Sequence, residues 1–377
     1  MPGPASGPVA PAPGGTSSLS DGLGGPRGRL AGIDLARALA IIGMVTVHVS
    51  PSGTEERLAY VLAVPRGRSA LLFALLAGVG VALLASSRSG SVADARFSLA
   101  WRVAVLLPLG LALQNLDHGV YVILADYALL YVLAMVVLRW SDRWLLVVVA
   151  VSTLVGSVGY RYGELNDPVG FRGIAASFGD QAREMLHRLV LSGPYPLITW
   201  AAPFCLGIWL GRRDLRDPRV RWRMVVVGGA LAVVVPALSW VLTTLVGSVE
   251  DAGGWWALLD DAPHSQRPLW LVSATASAVA VLGIALIVAD RLPQLVAPLV
   301  AAGQLAFTWY VAHLLVLHVR EGLLRTGSVV GTFAVVAVFT VVMGVGSALW
   351  LRIAPRGPLE VLLRPPWRWR SGAGPAG

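Results

Sequence analysis

Several apolar runs in this chain approach or exceed about 18 residues, the length that spans a bilayer. That repetition constrains the fold more than any other feature. A single soluble core has no use for so many runs of this length. The chain is 56% hydrophobic and 14% charged, whereas soluble domains carry about 25% charged residues. The reading is an all-α, polytopic membrane helix bundle of about ten transmembrane helices. The runs fall near 31–50, 68–86, 98–116, 119–138, 143–160, 189–211, 222–249, 268–289, 297–318 and 329–353. Residues 161–187 and 250–267 read as polar connections.

Three regions follow. Residues 1–28 are a Pro/Gly/Ala/Ser-rich leader, expected to be disordered and lacking the charged start and apolar core of a signal peptide. Residues 29–364 form the transmembrane domain. Residues 365–377 are a basic, aromatic tail whose "PPWRWR" reads as an interfacial anchor.

The formal charge of +9 comes from arginine alone, since the chain has no lysine. With the N-terminus inside, most arginines fall on the inner side, including the run "GRRDLRDPRVRWR" at 211–223. The positive-inside rule then favours both termini cytoplasmic and an even number of spans; the expected location is the plasma membrane. No soluble basic domain remains to bind nucleic acid. The single cysteine, Cys205, lies in an apolar run, so no disulfide forms within the chain. No metal-binding spacing or phosphate-binding motif is present, and no metal is expected.

The first span, "IDLARALAIIGMVTVHVSP" (33–51), carries the chemistry. Arg37 and His48 are eleven residues apart, about 20° more than three turns, so they share a helix face with a rise of about 16 Å. Charge on a lipid face is costly, so this stripe reads as the lining of a polar channel. Two plainer readings stand beside it. Asp34 and Arg37 could form an ion pair that only fixes packing, and His48 could face the headgroups. All six histidines (His48, His118, His187, His264, His313, His318) fall on the outer half of this topology, and histidine is the general base available near neutral pH. Loop placement explains His118, His187 and His264, but explains His48 and His313 less well.

Other candidates are Asp126, an intramembrane carboxylate that could orient a histidine or pair with Arg68, and Tyr310, one turn before His313. His318 lies about 140° round from His313 and is expected at the interface. In "DDAPHSQRP" (260–268), His264 and Arg267 stand near Trp255 and Trp256. They read either as a substrate-binding loop or as a solvated loop in a tryptophan belt.

"RALAIIGMVTVH" (37–48) resembles the first-helix signature of membrane acyltransferases, with the arginine-to-histidine spacing of the type-three enzymes that modify sugars. The chain as a whole resembles the bacterial YeiB-like family, itself similar to the catalytic part of heparan-α-glucosaminide N-acetyltransferase. "GRSALLFALLAGVGVAL" (67–83), "ILADYALLYVLA" (123–134), "PHSQRPLWLV" (263–272), "GQLAFTWYVAHLLVL" (303–317) and "GPLEVLLR" (357–364) carry that resemblance over about 30–364. One departure is that the N-acetyltransferase branch has its histidine slightly later, in the first loop, and residues 51–67 here contain none.

The resemblance implies acyl transfer from cytoplasmic acyl-CoA, in particular acetyl-CoA, to a hydroxyl or amine of a glycan or other small acceptor at the outer face. Arg37 would hold a donor phosphate, and Arg68, on the outer side, could bind an anionic acceptor or polarise the thioester oxygen. His48 would be the base or, alternatively, the covalent acyl carrier. Asp126 and His313 would assist, with His264, Arg267 and Tyr310 on the acceptor. A transporter or export permease using Asp34, Arg37, Asp126 and His313 as a polar pathway is the alternative, and a non-catalytic membrane partner is the third reading.

Overall fold

A backbone without water must satisfy its own hydrogen bonds, and helices do so within one segment. In the computed structural model every regular element among the described residues is helical. These residues are 29–51, 57–86, 91–247 and 254–366. The expected leader (1–28) and most of the PPWRWR anchor lie outside them.

Among the described residues, twelve helical segments of ten residues or more organise the chain: α1 (Ala31–Val49), α2 (Leu58–Ala85), α3 (Val92–Gln114), α4 (Leu124–Val137), α5 (Asp142–Asn166), α6 (Ala182–Ser192), α7 (Leu197–Gly211), α8 (Pro218–Val246), α9 (Pro268–Arg291), α10 (Pro293–Gln304), α11 (Ala306–Val319) and α12 (Val329–Ile353). Seven of them (α1, α2, α3, α5, α8, α9 and α12) are long and apolar enough to cross a membrane. The count rises to nine if each bent pair is one span, α6 with α7 at 57° and α10 with α11 at 71°. The stretch expected at 119–138 contains α4, which has only 14 residues.

The expected boundaries shift for local reasons. α8 starts four residues early because Asp217 caps it, accepting from the Arg219 N–H at 2.8 Å, with Pro218 in the first turn. α5 runs on to Asn166, into the segment expected to be a polar connection, and Arg161 pairs with Glu164 one turn on at 2.9 Å.

Burial ranks the helices. The apolar window of α1 is 72% buried, against 17% for α8 and 22% for α12. α1 is therefore the central helix, packed by α2, α9, α10, α11 and α12. The outer helices present rows of exposed valines, such as Val226, Val233 and Val234 on α8 and Val338, Val341 and Val345 on α12. Faces of that size and apolarity suit lipid.

Lipid tails are as apolar as leucine, so close contact between helices depends on small residues. A side chain on Gly207 (α7) would strike the Leu75 carbonyl of α2, and one on Gly78 (α2) the Phe204 carbonyl of α7. Gly303 at the end of α10 lies against the Asp34 backbone of α1 in the same way.

The bend at Leu305 frees the first N–H groups of α11, which hydrocarbon cannot satisfy. Glu360, beyond α12, supplies the acceptor. Its Oε1 accepts from Phe307 N at 2.9 Å and Thr308 N at 3.0 Å, and its Oε2 accepts from the Thr308 hydroxyl at 2.5 Å.

Gly207→Ala should destabilise the purified protein by roughly 1–3 kcal/mol, the cost of overpacking a close contact. A thermal melt in detergent should fall by several degrees. An unchanged melt would show that α2 and α7 are not in contact there.

Candidate functional site

The centre of the site is a chain of hydrogen bonds that α1 and α11 bring together. His48 sits on the last turn of α1 and is half-buried, while His313 on α11 is only 2% exposed. His48 Nδ1 lies 3.1 Å from His313 Nε2, and the rings stack with centroids 5.3 Å apart. His313 Nδ1 faces the Trp309 carbonyl at 3.3 Å.

A carbonyl only accepts, so His313 carries its proton on Nδ1 and its Nε2 is a lone pair. His48 must then donate from Nδ1, which leaves its own Nε2 as a lone pair. The arrangement fixes a tautomer and an orientation, as an acceptor behind a catalytic histidine does.

Tyr310 stacks edge-on to His313 at 5.3 Å. Its hydroxyl accepts from the Ile123 N–H at 3.2 Å, so its own hydrogen remains to be given. Asp126, buried on α4, is an electrostatic neighbour of Tyr310 and Tyr195. The expected pairing of Asp126 with Arg68 is not formed. Arg68 lies instead in electrostatic range of Asp261. Its Nη1 is buried without a hydrogen-bond partner among the described residues. Asp126 begins α4 and Arg68 opens the main run of α2, and these two positions project toward different neighbours.

At the other end of the α1 stripe, Arg37 Nη1 donates to Asp34 Oδ1 at 2.8 Å. Asp34 is 1% exposed, and a buried carboxylate left without its partner costs about 3–5 kcal/mol. The Arg37 side chain keeps 32% exposure, its second nitrogen facing the space beside Gly80. Tyr127, within range of Arg37, has a buried hydroxyl with no partner among the described residues.

Around the His48 end, Arg325 ties three segments. Its Nε donates to the His48 carbonyl and its Nη2 to the His118 carbonyl, both at 3.0 Å, and it is ion-paired with Glu321. His118 accepts from Val120 N at 3.1 Å through Nδ1 and donates through Nε2 to the Leu113 carbonyl at 2.8 Å. Burial pushes its imidazole below the ordinary range. His318 is exposed, with Nδ1 3.0 Å from the Asp117 carbonyl.

The loop before α9 is held in two left-handed backbone conformations, at His264 (φ 62°) and Gln266 (φ 58°), each costing about 1–3 kcal/mol. The buried Gln266 amide supports them. It accepts from the Thr199 hydroxyl at 2.9 Å and Trp200 Nε1 at 3.1 Å, and donates to the Pro194 carbonyl at 2.9 Å. The His264 ring packs between Tyr195 and Trp270. Burial first, and Arg66 second, push it down to about 4. Arg267 is ion-paired with Asp260.

The structure thus joins His48, His313 and Tyr310 directly, with Asp126 and His264 close by. Arg37 stands along the helix from them, and Arg68 and Arg267 face the acidic pair Asp260 and Asp261. Sequence reasoning did not find Arg325, Gln266 or Glu360. The motifs "PHSQRPLWLV" and "GPLEVLLR" contain the last two, but nothing local shows what they cap.

Residues 211–370 match the model of a family described as protein of unknown function, DUF418. That is the YeiB-like family. The match covers under half of the chain, from the end of α7 through Glu360, and includes Tyr310, His313 and Arg325. It leaves α1 and His48 outside. No curated protein matches the chain.

A histidine with a folded pKa near 4 binds fewer protons than its unfolded form below about pH 6.5, so stability falls as pH drops through that window. The protein should melt lower at pH 4.5 than at pH 7. His264→Gln should flatten part of this slope; a slope identical in both proteins would show that His264 is not buried as described.

Proposed function

We propose that this protein is a multi-pass membrane acyltransferase that moves an acyl group, acetyl in the simplest case, from acyl-CoA to a hydroxyl or amine at the opposite face. One observation carries this reading: the Trp309–His313–His48 chain leaves an unprotonated, oriented Nε2 on a half-buried histidine. That atom would take the acceptor's proton as its oxygen or nitrogen attacks the thioester carbon. The same proton then goes to the departing CoA thiolate, so no net proton is held. Arg37, partly free of Asp34, would meet donor phosphate, and the unpartnered Tyr127 hydroxyl is a further donor beside it. A glycan or small-molecule acceptor would enter past His264 and Tyr310.

With radiolabelled acetyl-CoA and a panel of hydroxyl and amine acceptors, CoA release by detergent-purified protein should fall about 10²–10⁴-fold in His48→Ala. His313→Ala should lose a comparable part, because its loss frees the His48 tautomer. Arg37→Ala should act mainly through KM. Full turnover in His48→Ala sinks the mechanism. Solute counterflow that needs Asp34 and Arg37 but releases no CoA would support the transporter reading.

The proposed arrangement has ten spans in the plasma membrane and both termini cytoplasmic. Its support is ten apolar helical units and the arginine cluster between α7 and α8. α4, about 21 Å long, would sit in hydrocarbon of about 30 Å only where neighbours shield its ends. A fluorescent protein that folds only in the cytoplasm, fused after residue 377, should fluoresce; a dark, fully expressed fusion contradicts the orientation.

A further inference from the structure

A cavity of about 460 Å³ lies away from the histidine site, between α5, α7, α8 and α9. That volume falls in the usual range of ligand pockets, roughly 300–1,000 Å³. Its wall is apolar, with Val149, Ala202, Leu206, Val227, Leu231 and Leu271. At one end stand Arg213 and Arg223, and at the other Thr153. Thr153 belongs to a π-helical turn, Ser152–Gly156, inside α5, a distortion that clusters at functional positions.

The dimensions are those of one lipid chain. From Val220 to Leu231 the α8 wall rises about 16 Å, close to half of the roughly 30 Å hydrocarbon layer. The basic end lies at the start of α8, where the headgroups of one leaflet would be.

The charge at that mouth is unbalanced. Among the described residues, Asp142 is the one carboxylate paired with Arg212 and Arg213. Asp214 and Asp217 accept from backbone N–H groups of their own loop. Arg221 is spent on Asp290 at 2.5 Å. Arg213 stacks on Trp209, 4.4 Å from the ring centre, with its Nε buried and without a hydrogen-bond partner among the described residues. Arg223 is exposed and forms no hydrogen bond or ion pair among the described residues.

We infer that this cavity binds one anionic phospholipid, its phosphate on Arg213 and Arg223 and one acyl chain along the α8 wall. The site is independent of acyl transfer, and its test reads no activity.

Purified full-length protein is equilibrated in detergent with equal amounts of phosphatidylglycerol and phosphatidylcholine of the same acyl chains, and the lipid retained is counted by mass spectrometry. Wild type should keep about one phosphatidylglycerol per chain, preferred roughly tenfold. Arg213→Gln with Arg223→Gln should abolish the preference, and Val227→Trp should displace both lipids. Arg223→Gln alone, on an exposed residue, should lower the preference several-fold with an unchanged melt. Equal retention of both lipids by wild type, or an undiminished preference in Arg223→Gln, overturns the proposal.

Discussion

Polar groups on a helix at the centre of an apolar bundle must find partners, because hydrocarbon offers none. α1 meets this requirement in two ways. Asp34 and Arg37 are one turn apart and satisfy each other within the helix. His48 has no such neighbour and is satisfied across the chain by His313. The first contact is made within the helix itself. The second requires α11 to lie beside the last turn of α1.

That requirement propagates. α11 is the second half of a bent pair, and its first N–H groups are exposed by the break at Leu305. A carboxylate from beyond the last helix accepts from both Phe307 and Thr308. Charge-assisted hydrogen bonds of this kind are about twice as strong as neutral ones, and the negative charge sits at the positive end of the α11 dipole. His313 is seven residues, about two turns, from that cap. Glu360 therefore steadies the helix that orients His48 without touching either histidine. Arg325 acts at the opposite end, holding the His48 and His118 carbonyls together.

Much of the bundle was legible because its signal is one-dimensional. Length and apolarity find α1, α8, α9 and α12, and helical periodicity places Arg37 and His48 on one face. The rest depended on contacts. Nothing near His48 marks His313 as its partner, since the two are 265 residues apart. The bend at Leu305 carries no proline at the break. Gly303 beside it serves the close approach to Asp34, so a continuous ninth span was the natural expectation. Asp126 looked like a partner for Arg68 because both are charged residues in apolar runs. Packing sends one toward Tyr195 and Tyr310 and the other toward Asp261. Arg267, read as a ligand for an acceptor, is engaged with Asp260.

The histidine pair also divides the chain in a way that bears on how the family is read. His313, Tyr310, Arg325 and Glu360 all lie within the matched residues 211–370. The lone pair that they orient belongs to His48, which lies outside. The matched region therefore holds the groups that fix a tautomer, and His48 Nε2, the base proposed above, lies outside it. The His313 acceptor acts on His48 only because α1 brings that imidazole against it. Chemistry attributed to residues 211–370 alone would accordingly describe only the support of this site. A relative with the α11 histidine but no histidine at the end of its first helix should lack the base proposed here.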